Sequence, residues 1–244
     1  TAIGPRIYIP GMTAPIAPVT GPVYMTLFWM MMADACRVLA IEGKPIAVAG
    51  DEPKLSGEKV MWAGLADPLL DDFFDEVMRE LELVGSELGD IRKMASIAVD
   101  TILNGGNLYF YSRYSYSFAS EASGRRGGLR LAQGISDGNI RGAANDCVIM
   151  GIYKPDDEVD LKNLDEFKKR GMRVVSIGPT TRNFFVPERR VVFKETEAHV
   201  GHFVDTYGQF AIPGFEQKIS PTSGIMNCTM LWCLCIEIVT QVME

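Results

Sequence analysis

The hydrophobic pattern places an apolar helix near each end of the chain and a series of helical and extended segments between them. Residues Pro22 to Ile41 are almost continuously apolar, with Met30, Met31 and Met32 at the centre. Pro22 suits a first helical turn, and Gly43-Lys44-Pro45 supplies a stop. Asp34 and Arg37 interrupt the run, and a charge inside a bilayer is costly, so the segment reads as a helix buried by protein on several sides rather than a membrane span. Residues 1–21 carry too many Gly and Pro for long regular elements. Ile46 to Ala49 allow a short strand, and Asp51 to Gly64 a surface connection.

A second helical region opens at Asp67-Pro68, a capping residue followed by a first-turn proline. Leu69, Leu70, Phe73, Phe74, Val77, Leu81 and Val84 recur there at helical spacing with acids between them. Gly85 to Gly89 weaken the run, and Ile91, Met94, Ala95, Ala98, Ile102 and Leu103 resume it as far as Asn104. Leu108 to Phe110 then read as a buried strand, Ser112 to Ser117 as a hydroxyl-rich loop, and Phe118 to Gly127-Gly128 as a helix. Leu129 to Ala132 are expected as the second strand, with a glycine-rich loop over Gly134 to Asn145. Cys147 to Ile152 form the continuous apolar run of a strand covered on both faces.

Val159 to Arg170 read as a helix with Leu161, Leu164 and Phe167 inward and three basic residues at its negative end. Arg173 to Ile177 give the next strand, His202 to Thr206 the last, and Thr229 to Met243 a terminal helix. Strand, helix, strand with glycine-ended helices argues a parallel sheet with right-handed crossovers.

One repeat stands out. Pro18-Val19-Thr20-Gly21, followed by Leu27-Phe28-Trp29 and Asp34, matches Pro221-Thr222-Ser223-Gly224, followed by Met230-Leu231-Trp232 and Glu237, at a constant offset of 203 positions. Such a period suggests tandem ancestry, a chance match of two short apolar helices being the alternative. Residues 1–66 are then an N-terminal helical appendage, the remnant of a preceding copy, and residues 67–244 the α/β domain.

Composition narrows the function. A net charge of −7 with no basic run argues against general nucleic-acid binding. The five cysteines, an odd count set mostly in apolar segments, suggest reduced thiols in a cytoplasmic protein. His199 and His202 lie three apart beside Glu195 and Glu197, a weak metal pattern, so neither a metal nor a cofactor is assigned.

The richest chemistry lies at Leu103 to Leu129. Strand, hydroxyl-rich loop and helix N-terminus make an anion cradle, because the first helical N–H groups lack internal partners and the dipole favours negative charge. Ser112, Ser115, Ser117 and Arg113 add donors. A merely polar βα connection is the alternative.

These residues resemble the sugar isomerase (SIS) phosphosugar-binding superfamily, most nearly its small single-domain members and more distantly phosphoheptose isomerase. Glu121 followed by Arg125-Arg126-Gly127-Gly128-Leu129 matches the family's Glu-bearing helix and its Arg-X-Gly-Gly-Leu. The resemblance spans about residues 68–244 and implies a three-layer α/β/α, flavodoxin-like parallel sheet and a homo-oligomer that buries part of the Met-rich helix. It also implies a small anionic sugar or sugar phosphate as ligand, with Glu121 as the base of an aldose–ketose isomerisation and Arg125 beside it. An ion pair between Glu121 and Arg125, one turn apart, is the structural alternative.

Two departures matter. The family's second phosphate loop, Ser-X-Ser-Gly-X-Asn/Thr, is replaced by Ile152-Tyr153-Lys154-Pro155-Asp156-Asp157-Glu158. Three carboxylates at a helix start satisfy the dipole themselves, leaving Lys154 as the obvious anion partner. In the first loop, Tyr111, Arg113 and Tyr114 stand where members carry glycines. Thr222 and Ser223, after Pro221, match the segment bordering the family's ligand site; they either contact ligand or cap the terminal helix. A SIS-derived regulatory or structural subunit without catalysis is the rival expectation.

Overall fold

The computed structural model describes residues 5–42, 69–113, 118–119, 121, 132–180, 190–202, 210–211, 218–219 and 221–244. The expectations for Ile46 to Ala49, Asp51 to Gly64 and the Asp67-Pro68 cap lie outside the described residues.

In chain order the elements are β1 (Pro5–Ile7), β2 (Ile16–Pro18), α1 (Thr20–Ile41), α2 (Leu69–Val84), α3 (Leu88–Leu103), β3 (Leu108–Ser112), β4 (Ala132–Ile135), β5 (Cys147–Gly151), α4 (Glu158–Lys169), β6 (Arg173–Pro179), α5 (Val192–Glu195), β7 (Ala198–His202), β8 (Phe210–Ala211), β9 (Lys218–Ile219) and α6 (Ser223–Met243). A single 3-10 turn at Gly85–Glu87 joins α2 to α3, where the glycines weaken the helical pattern.

Strands β3 to β7 form a parallel sheet in the order β4-β3-β5-β6-β7. Numbered within the sheet this is 2-1-3-4-5, the flavodoxin-like order, with its switch point between β3 and β5. Successive side chains alternate between the two faces. Leu108, Phe110, Ile149, Val175, Ile177 and Val200 join one core with α3 and α6. Tyr109, Tyr111, Val148, Met150 and Val174 join the other with Leu164 and Phe167 of α4. The three layers expected from the strand–helix series are therefore present. α6 is long and apolar enough to cross a bilayer, but its apolar side chains fill the core against α3 and the sheet.

Several boundaries differ from the sequence reading. Of the expected second strand, residues 129–131 lie outside the described residues, and β4 runs from Ala132 to Ile135, past the expected end. The last strand of the sheet among the described residues is Ala198–His202, and the expected His202 to Thr206 lies, beyond His202, outside the described residues. β7 is an edge strand whose residues alternate buried and half-buried, so its polar alternation hid it from a search for continuous apolar runs. α6 begins at Ser223, six residues before Thr229.

The largest correction concerns α1. It is not buried on several sides: Ala33 and Cys36 face inward, whereas Tyr24, Leu27, Phe28 and Met31 are exposed.

The repeat also appears in the strand pairing. β1 and β2 pair antiparallel with Ile7 opposite Ile16, and β8 and β9 pair antiparallel with Phe210 opposite Ile219. Both members are displaced by 203 positions, the offset seen in the sequence, and each hairpin feeds the apolar helix that follows it. The match extends upstream to Ile9-Pro10-Gly11 and Ile212-Pro213-Gly214.

Candidate functional site

An open α/β sheet offers ligands the crevice beyond the carboxyl ends of its strands at the switch point. Here that edge is closed by Ser112 of β3, Gly151 of β5 and His202 of β7, with Ser112 directly opposite Gly151. Most of the buried polar side chains among the described residues gather at or just beyond this edge: Ser112, Glu121, Asp157, Asp160, His202 and Asn227 are examples. Burying a polar group is costly without a partner, so each needs an explanation.

Asp157 explains the altered second loop. Its carboxylate accepts hydrogen bonds from the backbone N–H groups of Val159 and Asp160, both at 3.0 Å, and so caps α4. Arg113 donates from Nη1 to the same oxygen at 3.1 Å. The positive end of this helix thus already holds a carboxylate, and the guanidinium that sequence reasoning offered to a ligand anion is engaged with it. Lys154 lies half-buried in the turn before the helix, and its carbonyl accepts from the Asp157 N–H.

Behind Asp157 sits a second buried acid. Asp160 Oδ1 accepts from the Tyr111 hydroxyl at 3.2 Å, and Asn163 donates from Nδ2 to the same hydroxyl at 2.6 Å and to Asp137 at 3.2 Å. Burial, followed by the neighbouring Asp157 charge, pushes the Asp160 carboxyl up to about 7. Burial likewise raises the Tyr111 hydroxyl. Tyr111 therefore does not fill the ligand side of the loop: its ring stacks edge-on against Phe167, 5.6 Å between centroids, beneath α4.

Glu121 is buried as well. Phe118, Ala119 and Glu121 are helical, and the Phe118 ring lies directly over Gly151, where an added Cβ would come within 2.7 Å of it. The Glu121 carboxyl reaches the first turn of α1: a Cβ on Gly21 would stand 2.9 Å from Oε2. The candidate base is thus covered by the N-terminal helix, a proximity between residues a hundred positions apart that no local pattern encodes. Ser115, Ser117 and Arg125 lie outside the described residues, so their place relative to Glu121 is not specified.

On the other side of the edge, His202 and Asn227 form a pair that sequence reasoning missed as a site. His202 Nε2 and Asn227 Oδ1 are 2.9 Å apart, and Asn227 Nδ2 donates to the Ile152 carbonyl at 3.3 Å. With the amide nitrogen committed to a carbonyl, Asn227 Oδ1 is the acceptor and His202 carries its proton on Nε2. Burial holds the His202 imidazole down to about 4, opposed by the bond to Asn227. An unusual polar residue in the first turns of an apolar helix was the available signal. Thr222 and Ser223 are buried at the start of the same helix, and Thr222 occupies the cap position without a side-chain capping bond.

His199 and His202 do not converge on one metal. Three residues apart on a strand, they point to opposite faces. His199 Nδ1 pairs with the Ser176 hydroxyl at 2.8 Å while its ring packs on Phe193. Among the described residues no group of three His, Cys, Asp or Glu side chains is placed to hold a metal ion. A shallow hollow of about 460 Å³ lies along α4, lined by Glu158, Lys162, Asp165 and Arg190 among others, none of them a predicted site residue.

No protein-family model matches the chain, and no curated protein matches it. Solved structures do. A phosphoheptose isomerase from Francisella tularensis is 14% identical at a TM-score of 0.47, covering 69% of this chain and 95% of its own. The sugar isomerase domain of an RpiR transcription factor from Sphaerobacter thermophilus is 11% identical at 0.46, covering 73% and 93%. An E. coli CFT073 protein in complex with A5P is 14% identical at 0.43, covering 71% and 88%. The likeness is one of fold, and the assignment here rests on the strand order itself.

Proposed function

We propose that this chain binds a small anionic sugar derivative, a sugar phosphate being the leading class, in the crevice at the carboxyl ends of β3 and β5. The observation that carries this reading is the concentration of buried polar side chains at that one edge of the sheet, around the switch point. In this reading Ser112, Thr222 and Ser223 would supply hydroxyls and Lys154 a cation, with Ser115, Ser117 and Arg125 completing the set that the sequence resemblance implies. In the isomerase form of the reading, Glu121 moves a proton between adjacent carbons, with hydroxyl donors polarising the carbonyl oxygen.

A second reading has its own support. Asp157 caps α4 and engages Arg113, and Glu121 sits under α1. Both arrangements suit a SIS-derived regulatory or structural subunit that binds without turnover.

Thermal shift with a panel of sugar phosphates, alongside inorganic phosphate, tests the first reading. Ligand at a hundred times its Kd stabilises the folded chain by about 2.7 kcal/mol, a readable rise in Tm. No rise with any member at millimolar concentration refutes phosphosugar binding. If a ligand is found, Glu121→Gln separates the two forms: loss of isomerisation with binding retained supports the enzyme, and binding with no turnover in either protein supports the subunit.

A further inference from the structure

The repeat assigns a partner to the exposed face of α1. Superposed at the offset of 203, six of the eleven residues α6 buries have exposed counterparts on α1, and the other five, Met25 and Trp29 among them, have half-buried ones. Met230, Leu231 and Leu234 are 1%, 0% and 0% exposed, and their counterparts Leu27, Phe28 and Met31 are 50%, 54% and 71% exposed. Cys235 and Ile238 are buried, whereas Met32 and Ala35 are exposed. The side of α1 that does face inward, at Ala33 and Cys36, corresponds to Ile236 and Val239, which are only half-buried on α6. The two helices thus share the side of Trp29 and Trp232 but otherwise turn different faces to the core of this chain. α1 is docked by its back, and its sheet-covering face is vacant.

We infer that this face docks a partner polypeptide carrying a parallel α/β body of the same kind that lacks its own closing helix. The chemistry of the fit is read from α6, which packs in one apolar cluster with Met94, Ala95 and Ala98 of α3, Val175 and Ile177 of β6, and Val200 of β7. The exposed α1 stripe of Leu27, Phe28 and Met31 is apolar, and Asp34 and Arg37 pair with each other at 2.7 Å. A second copy of this chain does not supply such a surface, because its own α6 already occupies it.

The size also fits. Tyr24, Leu27, Phe28, Met31 and Val38, with Phe74 and Met78 of the adjoining α2, are each about half exposed or more. At roughly 150–250 Å² for a large side chain this makes about 600–900 Å². That exceeds the apolar patch of a typical monomer and matches the roughly 800 Å² per partner of a stable interface.

The chain's own α/β body serves as the probe. In one chimera, residues 223–243 are replaced by the sequence of residues 20–40, in the repeat register. In a second they are replaced by residues 21–41, which rotates the apolar face by about 100°. The inference expects the first chimera to unfold in one cooperative transition with native near-ultraviolet circular dichroism, and the second to lose both. Failure of the first, or equal behaviour of the two, overturns it. In the unaltered chain, Met31→Asp leaves the Tm within about 2 °C, and the mass by light scattering is the same with and without the substitution. A wild-type dimer that Met31→Asp dissociates would give the face to a second copy, and the inference would fall.

Discussion

Replacing Asp160 with Asn isolates one buried acid and gives its folded-state protonation a measurable sign. The wild-type carboxyl titrates at about 7 in the folded chain, against roughly 3.9 when unfolded. Between those values the folded chain holds a proton that the unfolded chain has released. Stability from this group is therefore fully present below about pH 4 and falls as the pH rises through 7. The span corresponds to roughly 4 kcal/mol, an upper figure because local water and relaxation soften the burial cost.

His202 works in the opposite direction. Its folded value near 4 lies below the usual value of roughly 6.5, so its contribution is present above pH 6.5 and lost towards pH 4. The two slopes partly cancel in the wild type and hide each other in a single titration of stability. The difference between Asp160→Asn and wild type removes the histidine, because both proteins carry it. Urea unfolding at pH 4.5, 6 and 8 should show the variant gaining about 2–4 kcal/mol on the wild type across that range. A difference constant within about 0.5 kcal/mol, or one falling with pH, would mean Asp160 is ionised in the fold and that the account of the Tyr111–Asp160–Asn163 cluster is wrong.

The other predictions concern the same edge and the repeat. Asn227→Ala leaves His202 and the Ile152 carbonyl without their shared amide, and chemical denaturation should show a loss of about 1–3 kcal/mol. Gly151→Ala drives a methyl into the Phe118 ring; a loss of about 1–3 kcal/mol is expected, and an unchanged urea midpoint would place that ring elsewhere. Leu234→Ala should cost about 2–5 kcal/mol, while its repeat counterpart Met31→Ala stays within about 0.5 kcal/mol, both read from denaturant midpoints at constant m.

The interior of the sheet was legible because its strands announce themselves. Leu108 to Phe110 and Cys147 to Gly151 are continuous apolar runs that lie in the sheet, and Arg173 to Ile177, apolar at Val174, Val175 and Ile177, lies there too. α4 was legible from its inward Leu164 and Phe167 and its basic last turn. β7 was not, because an edge strand with histidines on alternating faces lacks such a run.

At the site, the self-capping carboxylates before α4 followed from local chemistry, and Asp157 fills that role. The engagement of Arg113 by Asp157, 44 positions away, did not, since local spacing says nothing of contacts made through the sheet. The pairing of His202 with Asn227 was hidden for the same reason. Hydrophobicity alone also misjudged α1: an apolar helix is expected to be covered, but not necessarily by its own chain.

The contact of Gly21 with the Glu121 carboxyl has a practical consequence. The first turn of α1 lies against the acid proposed for proton transfer. A shortened protein starting at α2, the natural choice for anyone isolating the α/β portion, would expose that acid to water and would report the chemistry of a different molecule.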